Sequence, residues 1–136
     1  MKQIELKVQL ETIKTESGNQ KVLFKTVNIL EDVINQRPPQ GGFSIKEIVQ
    51  RSRLLGIVGD FKKDFELPKK ITGEDGKERD FTIDDITDDY LNKKVVWEIE
   101  DADFEKIQEI VRKMDEGKDF LLISNFIVDF ATQFLK

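Results

Sequence analysis

The sequence predicts an α+β fold in a single domain over residues 1–136: an N-terminal antiparallel β-hairpin, with additional short strands, packed against three or more helices. Three observations predict it. Residues 4–10 and 22–26 alternate apolar and polar with period two, as strands with one buried face do. The stretches after Ser44 and after Asp101 repeat apolar residues at helical spacing behind capping side chains. A chain of 136 residues with ten Phe suits one core, because a domain near this size buries about two-thirds of the surface its unfolded chain exposes.

Taken in order, Ile4, Leu6, Val8 and Leu10 alternate with Glu5, Lys7 and Gln9. Ser17-Gly18-Asn19-Gln20 reads as the turn, and Val22, Phe24 and Thr26 alternate again, completing a hairpin. Ile29, Leu30, Val33 and Ile34 predict a short helix over 28–35, and Arg37-Pro38-Pro39-Gln40-Gly41-Gly42 breaks the chain after it. Ser44 and Glu47 have the spacing of a capping box, with Phe43 placed to staple against Ile48. Ile45, Ile48, Val49, Leu54 and Leu55 then form the expected buried face of a helix ending between Gly56 and Gly59.

Glu74-Asp75-Gly76-Lys77 reads as a tight turn joining 70–72 to 80–83, followed by one helical turn within 84–92. Val95-Val96-Trp97-Glu98-Ile99 is β-branched and aromatic, hence a strand. Asp101 is expected to cap the next helix, with Asp103 and Glu105 at the positive end of its dipole. Phe104, Ile107, Ile110, Val111 and Met114 are its stripe, and Gly117 its C-terminal cap. Ser124 or Asn125 caps a last helix bearing Phe126, Ile127, Phe130, Ala131, Phe134 and Leu135. With Phe120, its Phe residues are core, or a stripe that docks on a neighbour.

The chain has no Cys and no His, which removes disulfides, thiolate zinc sites, thiol nucleophiles and imidazole acid–base chemistry. It contains neither a G-x-S-x-G elbow nor a P-loop, and Gly56-Ile57-Val58-Gly59-Asp60 lacks the Lys-Ser/Thr ending of a phosphate cradle. Asp84-Asp85-Ile86-Thr87-Asp88-Asp89 has the acid density of a calcium loop. A register starting at Asp85 nevertheless puts Tyr90 where the turn Gly belongs and Val96 where the bidentate Glu belongs. Asp101 and Asp103 resemble a carboxylate pair, but i, i+2 spacing sends them to different sides of a helix. The expectation is a non-enzyme with no cofactor and no metal.

Charged residues are 36% of the chain, against about 25% in an average protein, and the net charge is −5. Nucleic acid and anionic membrane are therefore not the expected partners. Met1-Lys2-Gln3-Ile4-Glu5-Leu6 is too charged for a signal peptide, and Phe120-Leu121-Leu122-Ile123 is too short an apolar run to span a bilayer. These features predict a soluble, intracellular protein. Charge is unevenly laid out. Residues 46–70 hold seven basic and four acidic side chains, a net of +3, and residues 71–105 hold four basic and thirteen acidic, a net of −9. Arg51 and Arg53 in the first segment, and Asp84, Asp85, Asp88 and Asp89 in the second, are the candidate interaction residues. They suit a protein partner or a second copy of the chain.

Two segments also carry a resemblance: Phe43-Ser44-Ile45-Lys46-Glu47-Ile48-Val49-Gln50-Arg51-Ser52-Arg53-Leu54-Leu55, and Ile99-Glu100-Asp101-Ala102-Asp103-Phe104-Glu105-Lys106-Ile107. An Arg-x-Arg-Leu helix preceding an Ile-Glu-Asp-x-Asp helix start resembles small proteins encoded by tailed bacteriophages and prophages. The resemblance implies a virion-assembly or accessory role through protein–protein contacts, including self-association, and transfers no catalytic residue. The alternative is an acidic inhibitor, a DNA mimic or anti-defence protein that occupies the basic groove of a host nucleic-acid enzyme.

Overall fold

The computed structural model describes residues 1–37, 41–120 and 124–135. Five strands and five α-helices are present among them. The order is β1 (Lys2–Thr15), β2 (Gly18–Lys25), α1 (Thr26–Ile34), α2 (Ile45–Lys62), β3 (Lys70–Thr72), β4 (Glu78–Asp80), α3 (Asp88–Leu91), β5 (Lys94–Ile99), α4 (Asp101–Gly117) and α5 (Asn125–Leu135). This is the predicted α+β architecture with its N-terminal antiparallel hairpin. The Pro38 and Pro39 break, and positions 121–123 of the apolar run, lie outside the described residues.

β1 is the spine. It lies between β2 and β5, antiparallel to both, and the two neighbours divide its length. Lys2 pairs with Ile99 and Lys7 with Lys94, while Val8 pairs with Lys25 and Thr15 with Gly18. Where β2 stops, side chains take over the ladder, because buried backbone groups need partners. The Thr26 hydroxyl accepts from the Lys7 amide at 3.1 Å and donates to the Lys7 carbonyl at 3.2 Å. Gln133 Oε1 accepts from the Glu5 amide at 3.0 Å.

Ile4, Leu6 and Val8, at alternate positions of β1, are buried together with Trp97 and Ile99 of β5. Against them pack Val27, Leu30, Val33 and Ile34 of α1, Ile107, Ile110, Val111 and Met114 of α4, and Phe130 and Phe134 of α5. α5 is held at its start by Ser124, whose Oγ accepts from the Phe126 amide at 3.1 Å. Glu11 of β1 joins this cap, accepting from Ser124 Oγ at 2.6 Å and from the same amide at 3.1 Å. Phe126 stacks on Phe24 of β2, and Phe134 on Phe104 of α4, with centroids 5.7 and 5.1 Å apart.

Several boundaries differ from expectation for identifiable reasons. The hairpin turn is Glu16 and Ser17, and Gly18 already belongs to β2, in a left-handed backbone region (φ 115°) that glycine tolerates. β4 covers Glu78–Asp80, with the Phe81 amide adding one bond to the Lys69 carbonyl at 2.9 Å. The N-cap position of α4 is Glu100, with no side-chain capping bond; Asp101 is the first helical residue. At its other end the left-handed residue is Lys118, not Gly117 (φ 56°). The Asp119 amide then reaches back to the Met114 carbonyl at 2.9 Å, closing a Schellman-type end.

The largest departure is α2. Half the predicted capping box forms: Ser44 Oγ accepts from the Glu47 amide at 3.2 Å, while the Glu47 carboxylate turns to Arg51 and Lys106. The helix does not stop at its glycines but runs to Lys62. The expected core face is buried at Leu54, with Leu55 packed against the core, but its N-terminal part points outward, with Ile45 78%, Ile48 46% and Val49 64% exposed. Leu54 and Val58 are the buried residues of α2. Phe43 is not a staple to a buried Ile48; the Arg51 guanidinium sits over its ring, 4.5 Å from the centroid.

A Cβ added at Gly56 or Gly59 would meet nothing within 4 Å. Each glycine inside a helix gives up about 1 kcal/mol relative to Ala. Gly56→Ala and Gly59→Ala should therefore each raise the urea unfolding free energy by about 0.5–1 kcal/mol, and Ser44→Ala should lower it by about 1 kcal/mol.

Candidate functional site

The N-terminal half of α2 is fastened to the rest of the domain by charge. Arg51 Nη1 donates to the carbonyls of Ile34 and Gln36 at 2.7 and 3.0 Å, so it caps the C-terminal end of α1. Its Nε donates to Glu47 Oε2 at 2.9 Å. Glu47 is also bonded by Lys106 of α4, and Lys106 lies 3.9 Å from Glu109, which pairs with Lys113 at 3.0 Å. Hydrogen bonds first from Lys106 and then from Arg51 hold the Glu47 carboxyl below its ordinary range. Lys113, followed by Lys106, does the same to Glu109.

Two residues on, Arg53 forms a bidentate pair with Asp103 in the first turn of α4, one of its two bonds measuring 3.1 Å. The Asp103 side chain is 5% exposed and that of Arg53 53%, so the carboxylate is desolvated while the guanidinium keeps one side in water. Asp103 raises the Arg53 guanidinium above its already high value. Beside these pairs, a half-open cleft of about 650 Å³ runs between the start of α2 and α4. Its walls combine Phe43, Ile110 and Met114 with the paired charges of Glu47, Arg51 and Lys106.

The acidic segment divides into a structural and an exposed part. Asp85 accepts from Arg79 Nη1 and Nη2 at 2.7 and 2.6 Å, and from the Thr82 amide at 2.9 Å. This closes a capping box with Thr82 around a 3-10 turn at Ile83–Asp85. Arg79, then the Thr82 amide, hold its carboxyl well below the usual carboxylate range. Asp84 is 85% exposed and lies 3.8 Å from Lys21. Asp88 and Asp89 occupy the first turn of α3, behind Thr87, whose side chain accepts from the Tyr90 amide at 3.2 Å. That placement favours acid whatever its further role.

The six candidate residues are therefore not brought to one place. Arg51 answers to Glu47 and α1, Arg53 to Asp103, and Asp85 to Arg79. Of the four candidate aspartates, Asp85 is taken up by a structural pairing with Arg79 and Thr82. Sequence reasoning missed Asp103 and Lys106 as the partners of α2. A signal for Asp103 was available: it stands four residues before Ile107, at the N-terminal end of the buried stripe of α4, where a carboxylate needs a cation. Among the described residues, no group of three or more Cys, His, Asp or Glu is disposed to hold a metal ion, and no helix is long and apolar enough to cross a membrane.

Comparison with protein-family models, curated proteins and solved structures returned no match. The resemblance to tailed-phage proteins thus rests on the two quoted segments alone.

The Asp85 pairing has a pH signature. A carboxyl whose folded pKa is depressed contributes stability that is complete above its unfolded pKa, ordinarily 3.8, and is lost as pH falls through the folded value. Wild-type stability should decline from about pH 4 downward more steeply than that of Asp85→Asn, whose side chain does not titrate. Equilibrium unfolding at pH 2 to 6 measures the difference, and parallel profiles would remove Asp85 as a contributor.

Proposed function

We propose that this chain is a non-catalytic binding protein that works through protein–protein contacts, of the tailed-phage assembly or accessory type its sequence resembles. On this reading it acts in the cytoplasm of the host cell or within the particle. The observation that carries the proposal is the outward face of α2. Ile45, Ile48 and Val49, at i, i+3 and i+4, form one apolar patch at 78%, 46% and 64% exposure. Single exposed apolar residues are ordinary, whereas neighbouring ones on one helix face mark contact surfaces. The continuation of the face through Ser52 and Gly56 is also exposed. Gly56 and Gly59 weaken the helix by about 1 kcal/mol each, although the domain leaves room for a side chain at both. Close approach of another backbone gives such glycines a reason.

The acidic-inhibitor reading has support of its own: Asp84, Asp88 and Asp89 are exposed within six residues of chain. Affinity capture separates the two. The immobilised chain is compared with Ile45→Glu/Val49→Glu and with Asp84→Asn/Asp88→Asn/Asp89→Asn, against lysate of the cell that expresses it. The binding reading expects capture to fall at least tenfold for the α2 variant and to persist for the aspartate variant. The opposite pattern, with a nuclease or polymerase as the captured protein, would replace it with inhibition. Equal capture by all three would remove both surfaces.

A further inference from the structure

We infer that the outward face of α2 is a two-fold contact with a second copy of this chain, the two α2 helices crossing antiparallel with Ser52 at the axis. This rests on the binding reading of the face and names its partner.

The face is divided along its length. Its N-terminal half carries the protruding side chains Ile45, Ile48 and Val49. Its C-terminal half carries Gly56 and Gly59, both with open space where a Cβ would stand. In a parallel pair, protruding residues would meet protruding residues, and glycine would meet glycine. In an antiparallel pair centred on Ser52, Ile45 faces Gly59 of the second copy and Ile48 faces Gly56, and the same two contacts recur across the axis. A surface holding both halves of its own complement is what an isologous interface requires. The glycines also let the two backbones approach closely, so that rows of side chains on one helix enter the grooves of the other.

Charge follows the same pattern. Lys46 and Asp60 lie about four turns apart on one flank of α2, so the antiparallel arrangement brings Lys46 of each copy near Asp60 of the other. Asp60 has within its own chain an exposed partner, Lys63, at 3.9 Å. Arg53, the cation next to the axis, is already neutralised by Asp103, so the two copies of Arg53 do not oppose the contact. The surface is small. An α2 pair engages roughly ten residues a side, below the ~20–30 of a standard stable interface, so the dimer should be weak and concentration-dependent.

Four measurements on the chain test this. Sedimentation velocity from micromolar to millimolar concentration should show a monomer converting to a dimer. Gly56→Leu should raise the dissociation constant at least tenfold without lowering the unfolding midpoint of the monomer. Lys46→Glu should weaken the dimer, and Lys46→Glu/Asp60→Lys should restore it. Because the chain has no cysteine, Ser52→Cys should yield a disulfide-linked dimer under mild oxidation, whereas Glu116→Cys, exposed on α4, should not. A wild-type chain monomeric throughout, a dimer indifferent to Gly56→Leu, or equal cross-linking at both cysteines would overturn the inference. In that event the binding role of the face stands if Ile45→Glu/Val49→Glu abolishes capture of a different chain, and falls if it does not.

Discussion

Asp103 is a carboxylate in the first turn of α4, 3% exposed, and the placement of α2 depends on its need for a cation. An unpaired buried charge is among the most unfavourable features a fold can contain. Arg53 meets that need across 50 residues of chain, and by doing so brings one side of α2 against α4. Glu47 and Lys106 repeat the link across 59 residues, and Arg51 ties the same side to the end of α1. Such pairs contribute less net stability than equivalent apolar packing. Their effect here is orientation. With its N-terminal half fastened by charge, α2 buries Leu54 and Val58 farther along and turns Ile45, Ile48 and Val49 to the outside.

The rest of the domain provides the ground on which this junction sits. β1 carries two neighbours in succession, and the change from one to the other falls between Lys7 and Val8. The Thr26 hydroxyl covers that change and starts α1 in the same step, so the helix whose end Arg51 caps is anchored directly to the central strand. At the far end of α2, Phe65 is buried, and its carbonyl accepts from Lys25 Nζ at 3.0 Å and from Tyr90 Oη at 2.5 Å. Burial pushes the Tyr90 hydroxyl pKa up and the Lys25 ammonium pKa down. Both ends of α2 are therefore held by polar groups reaching carbonyls or carboxylates, and between them Leu54, Leu55, Ile57, Val58 and Phe61 pack in or against the core.

The elements whose pattern is local were legible in the sequence. Period two in Ile4, Leu6 and Val8 gave the first strand and its buried face, and Ile107, Ile110, Val111 and Met114 gave the buried stripe of α4. The single helical turn within residues 84–92 and the strand around Trp97 were legible for the same reason. α2 was not. Helical spacing of Ile45, Ile48 and Val49 identifies a face but not the direction it points, and the contacts that decide direction involve residues 50 and 59 positions away. Gly56 and Gly59 reinforced the error, because glycine after an apolar run ordinarily ends a helix. The candidate site divides in the same way. Arg51, Arg53 and Asp85 were conspicuous as charges, and their duties as fasteners are visible only with their partners in place. Asp84, Asp88 and Asp89 remain at the surface, as their composition suggested.

The central claim is that the N-terminal half of α2 has exchanged the usual roles of its side chains, with Glu47, Arg51 and Arg53 bonded to the domain and Ile45, Ile48 and Val49 facing outward. Urea unfolding followed through Trp97, the chain's one tryptophan, tests it directly when Arg53→Met and Ile45→Gln/Val49→Gln are compared at a concentration where the chain is monomeric. The account predicts a loss of about 3 kcal/mol for Arg53→Met, which leaves a buried carboxylate unpaired, and a change within about 0.5 kcal/mol for the double variant. A small effect at Arg53 together with a large loss at Ile45 and Val49 would contradict it.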